Sequence, residues 1–158
     1  MKTAVVYYTL DGNCALVAAE IKSKLNADSL RLQTQDEKKR GKFGKLLWGG
    51  GMVFRHKKPP LKPFSFDASA YELIIIGAPV WAGSPAPPIE TFLSEAGIKG
   101  KKIALFVCHG GGAGKSLKKF RALLDGNEIV AETDFKDFGK DKSEGTASRL
   151  ADWVKGLS

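Results

Sequence analysis

Cysteine is scarce in this sequence of 158 residues, which contains only Cys14 and Cys108. Two cysteines are too few for a disulfide framework, a zinc ribbon or a cysteine-ligated iron–sulfur cluster. We therefore predict no metal site. We expect both thiols to be reduced, as is usual for a protein of the cytoplasm.

Long apolar runs are also missing. The longest, from Leu73 to Gly83, contains Gly77 and Pro79, whereas a membrane-spanning helix needs about 20 apolar residues. The short apolar run from Ala4 to Tyr8 is not followed by a cleavage-type site. The sequence therefore predicts no membrane span, no targeting segment and a cytoplasmic location.

Acidic residues are absent from one stretch, between Lys38 and Lys62. Nine of the 25 Lys and Arg residues lie there, which leaves 16 basic and 17 acidic residues elsewhere, although the whole chain carries a formal charge of +8. The segment is either a solvated basic loop or a patch that attracts an acidic partner, anionic lipid or nucleic acid.

Apolar residues make up 43% of the sequence, enough for the core of one domain over residues 1–158. Continuous apolar runs rich in β-branched residues are typical of strands that are buried on both faces. Three such runs are Thr3–Tyr8, Leu73–Ile76 and Ile103–Cys108, and weaker candidates are Ser29–Leu32 and Ile129–Phe135.

Helical periodicity fills the intervals between these strands. The apolar face of the first helix, for example, consists of Cys14, Val17, Ala18, Ile21 and Leu25. The alternation of strands and helices predicts an α/β domain with a parallel sheet covered on both faces. It is interrupted by a basic connecting segment at about 33–70. Within that segment Phe43, Leu46, Leu47 and Trp48 fit a short amphipathic helix.

Ligands of open parallel sheets bind beyond the carboxyl ends of the strands, where the strand order reverses. The loop after the first strand reads Thr9-Leu10-Asp11-Gly12-Asn13-Cys14 and leads directly into a helix. Its glycine permits a tight turn, and a helix amino end binds a phosphate dianion through free N–H groups. The alternative is a plain turn in which Asp11 or Asn13 caps the helix.

The loop after the third strand combines Pro79, Val80, Trp81, Ala82 and Gly83 with further prolines. Small residues let the backbone approach a flat ligand, and the tryptophan offers an aromatic face for stacking. The alternative is that Trp81 packs on a neighbouring helix.

The loop after the fourth strand reads Cys108-His109-Gly110-Gly111-Gly112-Ala113-Gly114-Lys115-Ser116. Four glycines indicate close backbone contact with a ligand, and His109 is equally compatible with a functional and a structural role. The ending Gly114-Lys115-Ser116 suggests a nucleotide-triphosphate loop. That motif requires a glycine five residues before Gly114, where this sequence has His109, so the spacing argues against it.

Together the three loops resemble those of the flavodoxin family. Thr9, Gly12 and Asn13 match its phosphate signature, while Asp11 and Cys14 stand where threonines are usual. The stretch Gly77–Trp81 resembles the family's Gly-x-Pro-x-Trp/Tyr loop, and Cys108–Gly112 occupies the position of its third flavin loop. The resemblance implies a flavodoxin-like three-layer sandwich whose five-stranded parallel sheet has the order 2-1-3-4-5.

The resemblance also implies that the cofactor is flavin mononucleotide (FMN). Thr9–Cys14 would hold its phosphate, Pro79–Gly83 one side of its ring, and the third loop its pyrimidine end. The implied cofactor-binding residues of that third loop are Cys108, His109, Gly110, Gly111, Gly112 and Gly114. No side chain is expected to act as acid, base or nucleophile, because the flavin carries the electron chemistry.

Two departures from the family pattern concern the phosphate. A carboxylate 4 Å from a phosphate charge costs about 1 kcal/mol in water and about 4 kcal/mol at an effective dielectric of 20. Asp11 must therefore point away, cap the helix, or weaken phosphate binding. Cys14 is also a poorer hydrogen-bond donor than the threonine it replaces.

The function implied by the resemblance is that of a low-potential electron carrier. Two alternatives stay open: an FMN-dependent NAD(P)H or quinone oxidoreductase, and a flavodoxin-fold binding module that has lost FMN. An acidic redox partner would dock on the basic segment 38–62. No specific nucleic acid is expected as a partner.

Overall fold

The computed structural model describes residues 1–35, 58–140 and 144–158. These residues form six strands and four α-helices, and one turn of 3₁₀ helix occupies Ala68–Ala70. The strands are β1 (Thr3–Tyr8), β2 (Asp28–Leu32), β3 (Leu73–Trp81), β4 (Ser84–Pro85), β5 (Lys102–His109) and β6 (Glu128–Lys136). The helices are α1 (Asn13–Leu25), α2 (Pro87–Ala96), α3 (Ser116–Ala122) and α4 (Glu144–Lys155).

Five of the strands form one parallel sheet in the order β2-β1-β3-β5-β6. Strands β5 and β6 are the predicted fourth and fifth strands, so the predicted order 2-1-3-4-5 is confirmed. The additional strand β4 is only two residues long and pairs with the end of β3 in antiparallel fashion. The sequence pattern does not predict β4, and the predicted third strand, which ends at Ile76, is five residues too short.

Both faces of the sheet are covered, which confirms the three-layer sandwich. Along β5 the side chains alternate between two buried clusters, because successive residues of a strand point to opposite faces. Ile103, Leu105 and Val107 pack with apolar residues of α2 and α3. Ala104, Phe106 and Cys108 pack with those of α1 and α4.

The centre of the sheet depends on one glycine. A Cβ atom built on Gly77 of β3 would lie 1.9 Å from Cζ of Phe106, whose side chain is fully buried. The phenyl ring thus occupies the space that a side chain at position 77 would need. This contact joins β3 to β5 just before both strands reach the carboxyl edge of the sheet.

The two ends of the basic connecting segment lie side by side. Thr34 forms an antiparallel bridge with Leu61, and the Gln35 and Lys62 N–H groups donate to the carbonyls of Pro60 and Gln33. Beyond the bridge, Phe64 and Phe66 pack against Phe92 of α2. The predicted helix around Phe43, Leu46, Leu47 and Trp48 lies outside the described residues. Most of the Lys and Arg residues of the segment 38–62 also lie outside them.

None of the helices in the described ranges is long and apolar enough to cross a membrane.

Candidate functional site

The loop after β1 is a tight turn that delivers the chain into α1. Gly12 has φ +94°, a region that side-chain-bearing residues rarely adopt. Its N–H donates to Thr9 Oγ1 over 3.0 Å, and its carbonyl accepts the first helical hydrogen bond, from Leu16. The amino end of α1 therefore points out of the carboxyl edge of the sheet.

The N–H groups of Asn13, Cys14 and Ala15 begin α1 and have no carbonyl partner within the helix. Asn13, one of the two capping residues proposed from the sequence, directs its side chain elsewhere. Asn13 Oδ1 accepts a hydrogen bond from Gly139 N at 2.8 Å instead, and the helix has no side-chain cap from its N-cap residue, Gly12. No acidic residue lies in the first turn, so the helix dipole there is not offset from within the helix.

Asp11, the departure that threatens phosphate binding, has an exposed side chain. Cys14 has the opposite environment, with 1% of its surface exposed. Its side chain belongs to the core between the sheet and α1, together with Cys108 of β5. Burial, followed by the hydrogen bond with Cys108, raises the pKa of the Cys14 thiol well above its usual value. Position 14 therefore offers a ligand its backbone N–H, and its thiol is neutral and unreactive.

The second predicted loop is a hairpin rather than an irregular segment. Strand β3 continues to Trp81, and β4 returns beside it, with Trp81 opposite Ser84 and Val80 opposite Pro85. The two turn residues, Ala82 and Gly83, have φ of +48° and +70°. Positive φ at both central positions is the mark of a type I′ hairpin turn. Glycine suits that turn, but alanine is unusual there.

Trp81 packs on the sheet rather than standing clear of it. Its ring meets the buried ring of Tyr8 edge to face, with centroids 5.7 Å apart and an interplanar angle of 88°. The tryptophan is half-buried and contacts the same core cluster as Leu10 of the first loop and Ala113 of the third. The three loops proposed from the sequence therefore meet at one edge of the sheet.

The third loop joins β5 to α3 through four glycines. Gly112 and Gly114 have positive φ, of +138° and +53°, while a Cβ atom on Gly111 would meet nothing within 4 Å. Gly110, Gly111 and Gly112 are all exposed. The backbone of this loop is therefore exposed to solvent and is not covered by side chains of its own.

His109, the last residue of β5, is held by a carboxylate. Its side chain is 8% exposed, and its Nε2 lies 2.8 Å from Oδ2 of Asp134 on β6. Arg149 of α4 approaches the other oxygen of Asp134 at 3.3 Å. The hydrogen bond from His109, with a smaller contribution from Arg149, holds the pKa of Asp134 below its usual value against partial burial, which acts to raise it.

Two buried polar atoms at the ends of the third loop have no hydrogen-bond partner among the described residues. They are Nδ1 of His109 and Oγ of Ser116, and Ser116 is fully buried. An unpaired buried polar atom costs about 1–3 kcal/mol. Both atoms are buried, so the partner that they lack is one that an ordered water within the protein would supply.

The loop after β6 also contributes to this edge of the sheet, which was not predicted from the sequence. Gly139 of this loop reaches Asn13 of the first loop, as described above, and the N–H of Asp137 donates to the His109 carbonyl at 2.8 Å. This loop thus bridges the first and third. Two features of the sequence could have indicated this loop. It follows the last predicted strand, and Asp134 and Asp137 lie there beside Phe135 and Phe138.

In the described part of the chain, no group of three or more His, Cys, Asp or Glu side chains is arranged to hold a metal ion. What the edge of the sheet presents is a helix amino end, a half-buried tryptophan and a glycine loop flanked by unpaired polar atoms. This arrangement is suited to an anionic ligand with a flat, polar ring.

No family model and no curated protein matches the chain by sequence. Solved structures do match it in fold. A flavoprotein from Lactobacillus acidophilus, determined in complex with FMN, superposes with a TM-score of 0.76 at 22% identity, over 96% of this chain and 97% of that one. A putative flavoprotein from Bacteroides eggerthii gives a TM-score of 0.77 at 17% identity, over 98% and 96%.

The two-electron reduced flavodoxin of Megasphaera elsdenii gives a TM-score of 0.62 at 17% identity, over 99% of each chain. Together with the strand order and the three layers, these likenesses show that the protein has the flavodoxin-like fold.

Proposed function

We propose that this chain is a single-domain FMN-binding protein of the cytoplasm that carries electrons at low potential. The observation that supports this most is the meeting of three unusual loops at the edge of the sheet where the strand order reverses. The flavoprotein from Lactobacillus acidophilus, which shares the fold, was determined with FMN bound.

The residues fit such a cofactor. In the proposed complex the N–H groups at the start of α1, with Thr9 and Gly12 shaping the turn, bind the phosphate. The segment Pro79–Gly83 covers one side of the ring, with Trp81 against it. The loop from Cys108 to Gly114, whose first three glycines are exposed, lines the pyrimidine end. FMN supplies the electron-accepting ring, and the protein binds it, orients it and limits its contact with water.

Binding is tested by titrating the purified protein with FMN and following flavin fluorescence. We expect a coloured protein and strong quenching that saturates at one FMN per chain. Colourless protein that leaves FMN fluorescence unchanged would contradict the proposal. That result would favour the second candidate, a binding module that has lost FMN, which is motivated by Asp11 beside the phosphate loop.

An FMN-dependent NAD(P)H or quinone oxidoreductase would use the same loops. Stopped-flow mixing of the FMN-loaded protein with NADPH separates the two functions. A carrier should keep its oxidised flavin spectrum on this timescale and should exchange electrons rapidly with a one-electron donor. Fast bleaching of the flavin band by NADPH would identify a reductase instead.

The basic segment 38–62 motivates a proposal about the partner. We expect an acidic redox protein to dock there, since opposite charges accelerate association. The association rate should then fall steeply as salt is added, because a Debye length of about 10 Å at 0.1 M screens exposed charges. An association rate that does not change with salt would remove this role from the segment.

A further inference from the structure

The hairpin formed by β3 and β4 has few bonds of its own to keep it closed. Two residue pairs join its strands, and one of them contains Pro85, which has no N–H to donate. Next to these pairs, the Ala86 N–H donates to the Pro79 carbonyl at 3.0 Å. The turn also contains Ala82 at φ +48°, a left-handed conformation that disfavours a residue with a side chain. The hairpin therefore depends on contacts with its surroundings.

One such contact is the edge-to-face packing of Trp81 on Tyr8. Another comes from α3, where Nζ of Lys119 donates a hydrogen bond of 2.7 Å to Oγ of Ser84. Ser84 lies opposite Trp81 in the hairpin. Because α3 follows the third loop in the chain, this hydrogen bond joins the second loop to the third.

The backbone of Lys119 is held in place by the packing of α3 on the sheet. The next residue, Phe120, is fully buried in the cluster on that face, and α3 contacts β4. The side chain of Lys119 itself is exposed. Water therefore competes with its hydrogen bond, and we expect a net contribution of the ordinary size for one hydrogen bond.

No carboxylate competes with Ser84 for this ammonium group. Lys119 has no ion pair among the described residues, and α3 contains no acidic residue. A hydrogen bond from a charged donor is also stronger than one between neutral groups. The Ser84 hydroxyl is therefore the partner to which the structure assigns Lys119.

We propose that Lys119 is a positioning residue for the flavin ring. By binding Ser84 it keeps the Trp81 hairpin closed against α3. It thereby fixes the separation between the loop that covers one side of the ring and the loop that lines its pyrimidine end. This inference rests on the proposed FMN binding and adds to it a residue outside the three loops.

The consequence for the ligand is kinetic. Local opening of a segment has its own free energy, which is set by the contacts that the segment loses. FMN covered by the hairpin leaves while the hairpin is open, so its dissociation rate is proportional to the open fraction. Loss of the Lys119 hydrogen bond raises that fraction and shortens the lifetime of the complex.

Amide hydrogen exchange in the ligand-free protein tests whether Lys119 keeps the hairpin closed. Lys119→Met retains an unbranched side chain but has no donor. Its Ala86 N–H should exchange about fivefold faster than in the wild type, the change expected for the loss of one hydrogen bond. The N–H of Leu105, in the middle of β5, should exchange at the wild-type rate. An unchanged rate at Ala86 would overturn the proposal.

The release of FMN from the loaded protein, followed by the recovery of flavin fluorescence on dilution, tests the effect on the ring. Lys119→Met and Ser84→Ala should each accelerate release about fivefold. The double variant should release FMN no faster than either single variant, because both substitutions remove the same bond. Effects that simply add would show that the two side chains act independently, and the proposal would fail.

Two further variants separate the hydrogen bond from the charge. Lys118→Met removes a neighbouring exposed lysine of α3 that has no bond to Ser84, and it should release FMN at the wild-type rate. Lys119→Arg keeps a charged donor and should restore most of the lifetime. If Lys118→Met released FMN as fast as Lys119→Met, the charge of α3 rather than the bond to Ser84 would be responsible.

The outcomes separate this inference from the proposed function. If FMN does not bind to the wild type, the proposed function fails and the role of Lys119 toward the ring fails with it. If FMN binds and is released from Lys119→Met at the wild-type rate, only the role of Lys119 fails. The exposed position of this side chain means that its substitution leaves the core unchanged.

Discussion

The first and third loops lie at the same edge of the sheet but differ in how completely the protein satisfies them. In the first loop the chain supplies its own partners: Thr9 accepts from Gly12, and Asn13 accepts from Gly139. In the third loop His109 Nδ1 and Ser116 Oγ are buried without partners in the described residues. The first loop pairs these side-chain atoms and leaves only the backbone N–H groups at the start of α1, whereas the third loop leaves two buried side-chain atoms without a partner among the described residues.

The difference shows how such a site divides its tasks. A phosphate needs a preformed cradle of backbone N–H groups, and a tight, hydrogen-bonded turn keeps that cradle in shape. A polar ring needs donors and acceptors that are not already used, and these cost stability until they are paired. Substitutions in the two loops should therefore have unlike effects on the ligand-free protein.

The largest effect is expected where β3 and β5 carry the second and third loops to the edge. Gly77→Ala places a Cβ atom against the buried Phe106 ring, and overpacking of this kind typically costs about 3 kcal/mol of unfolding free energy. Chemical denaturation measures it. The double variant Gly77→Ala/Phe106→Leu should recover part of the loss. A Gly77→Ala variant of wild-type stability would show that the ring moves aside freely.

In the first loop, Gly12→Ala should cost about 1.5 kcal/mol of unfolding free energy, because alanine is strained at positive φ. FMN affinity should fall as well if the turn presents the phosphate-binding N–H groups. The matched control in the third loop is Gly111→Ala, which has open space for a methyl group and should change stability by less than about 0.5 kcal/mol. Equal losses would remove the contrast between the loops.

Removing one hydroxyl from each loop sharpens the comparison. Thr9→Val leaves the Gly12 N–H without its acceptor and should destabilise the ligand-free protein by about 1 kcal/mol. Ser116→Ala removes an oxygen that has no partner among the described residues and should leave stability unchanged or slightly raised. Thermal denaturation of both variants measures this. A Ser116→Ala variant as unstable as Thr9→Val would indicate that Oγ is paired in solution.

The smallest effect concerns Asp134 and depends on pH. The folded state lowers the pKa of this carboxyl, so its contribution to stability is present above the unfolded value of about 3.9 and is lost as pH falls through the folded value. Asp134→Asn should be less stable than wild type near neutral pH, by under about 1 kcal/mol because the carboxylate is partly exposed. The difference in unfolding free energy between the two proteins should disappear at acidic pH. A difference that persists there would show that the Asp134 charge is not its cause.

The strands and the layers were predictable because buried parallel strands appear in the sequence as continuous apolar runs, whereas the strand order came from the resemblance to the flavodoxin family. The end of β3 was not predictable. Gly77 and Pro79 suggested a break, yet the chain remains extended to Trp81 because the return strand β4 pairs with it. That pairing depends on two turn residues with positive φ, one of which is an alanine, and local preference does not predict it.

For the site, the sequence marked the loops but not the contacts between them. From the sequence, a structural and a functional role for His109 were equally plausible. Its carboxylate partner could not be identified, because that residue lies 25 positions away on another strand. Cys14 was treated as a substitute for a phosphate-binding threonine, whereas its thiol is packed in the core beside Cys108. Both contacts join residues that are distant in the chain, and local sequence patterns therefore do not predict them.

The sequence by itself determined the alternation of strands and helices and the three glycine-containing loops, because these follow from local periodicity and turn chemistry. Only the tertiary structure decided which polar atoms are paired. It joined Asn13 to Gly139 and His109 to Asp134, and within residues 1–35, 58–140 and 144–158 it left Nδ1 of His109 without a partner. The reason is physical: burial and hydrogen bonding depend on which segments meet in space, and those meetings are set by the packing of the whole domain.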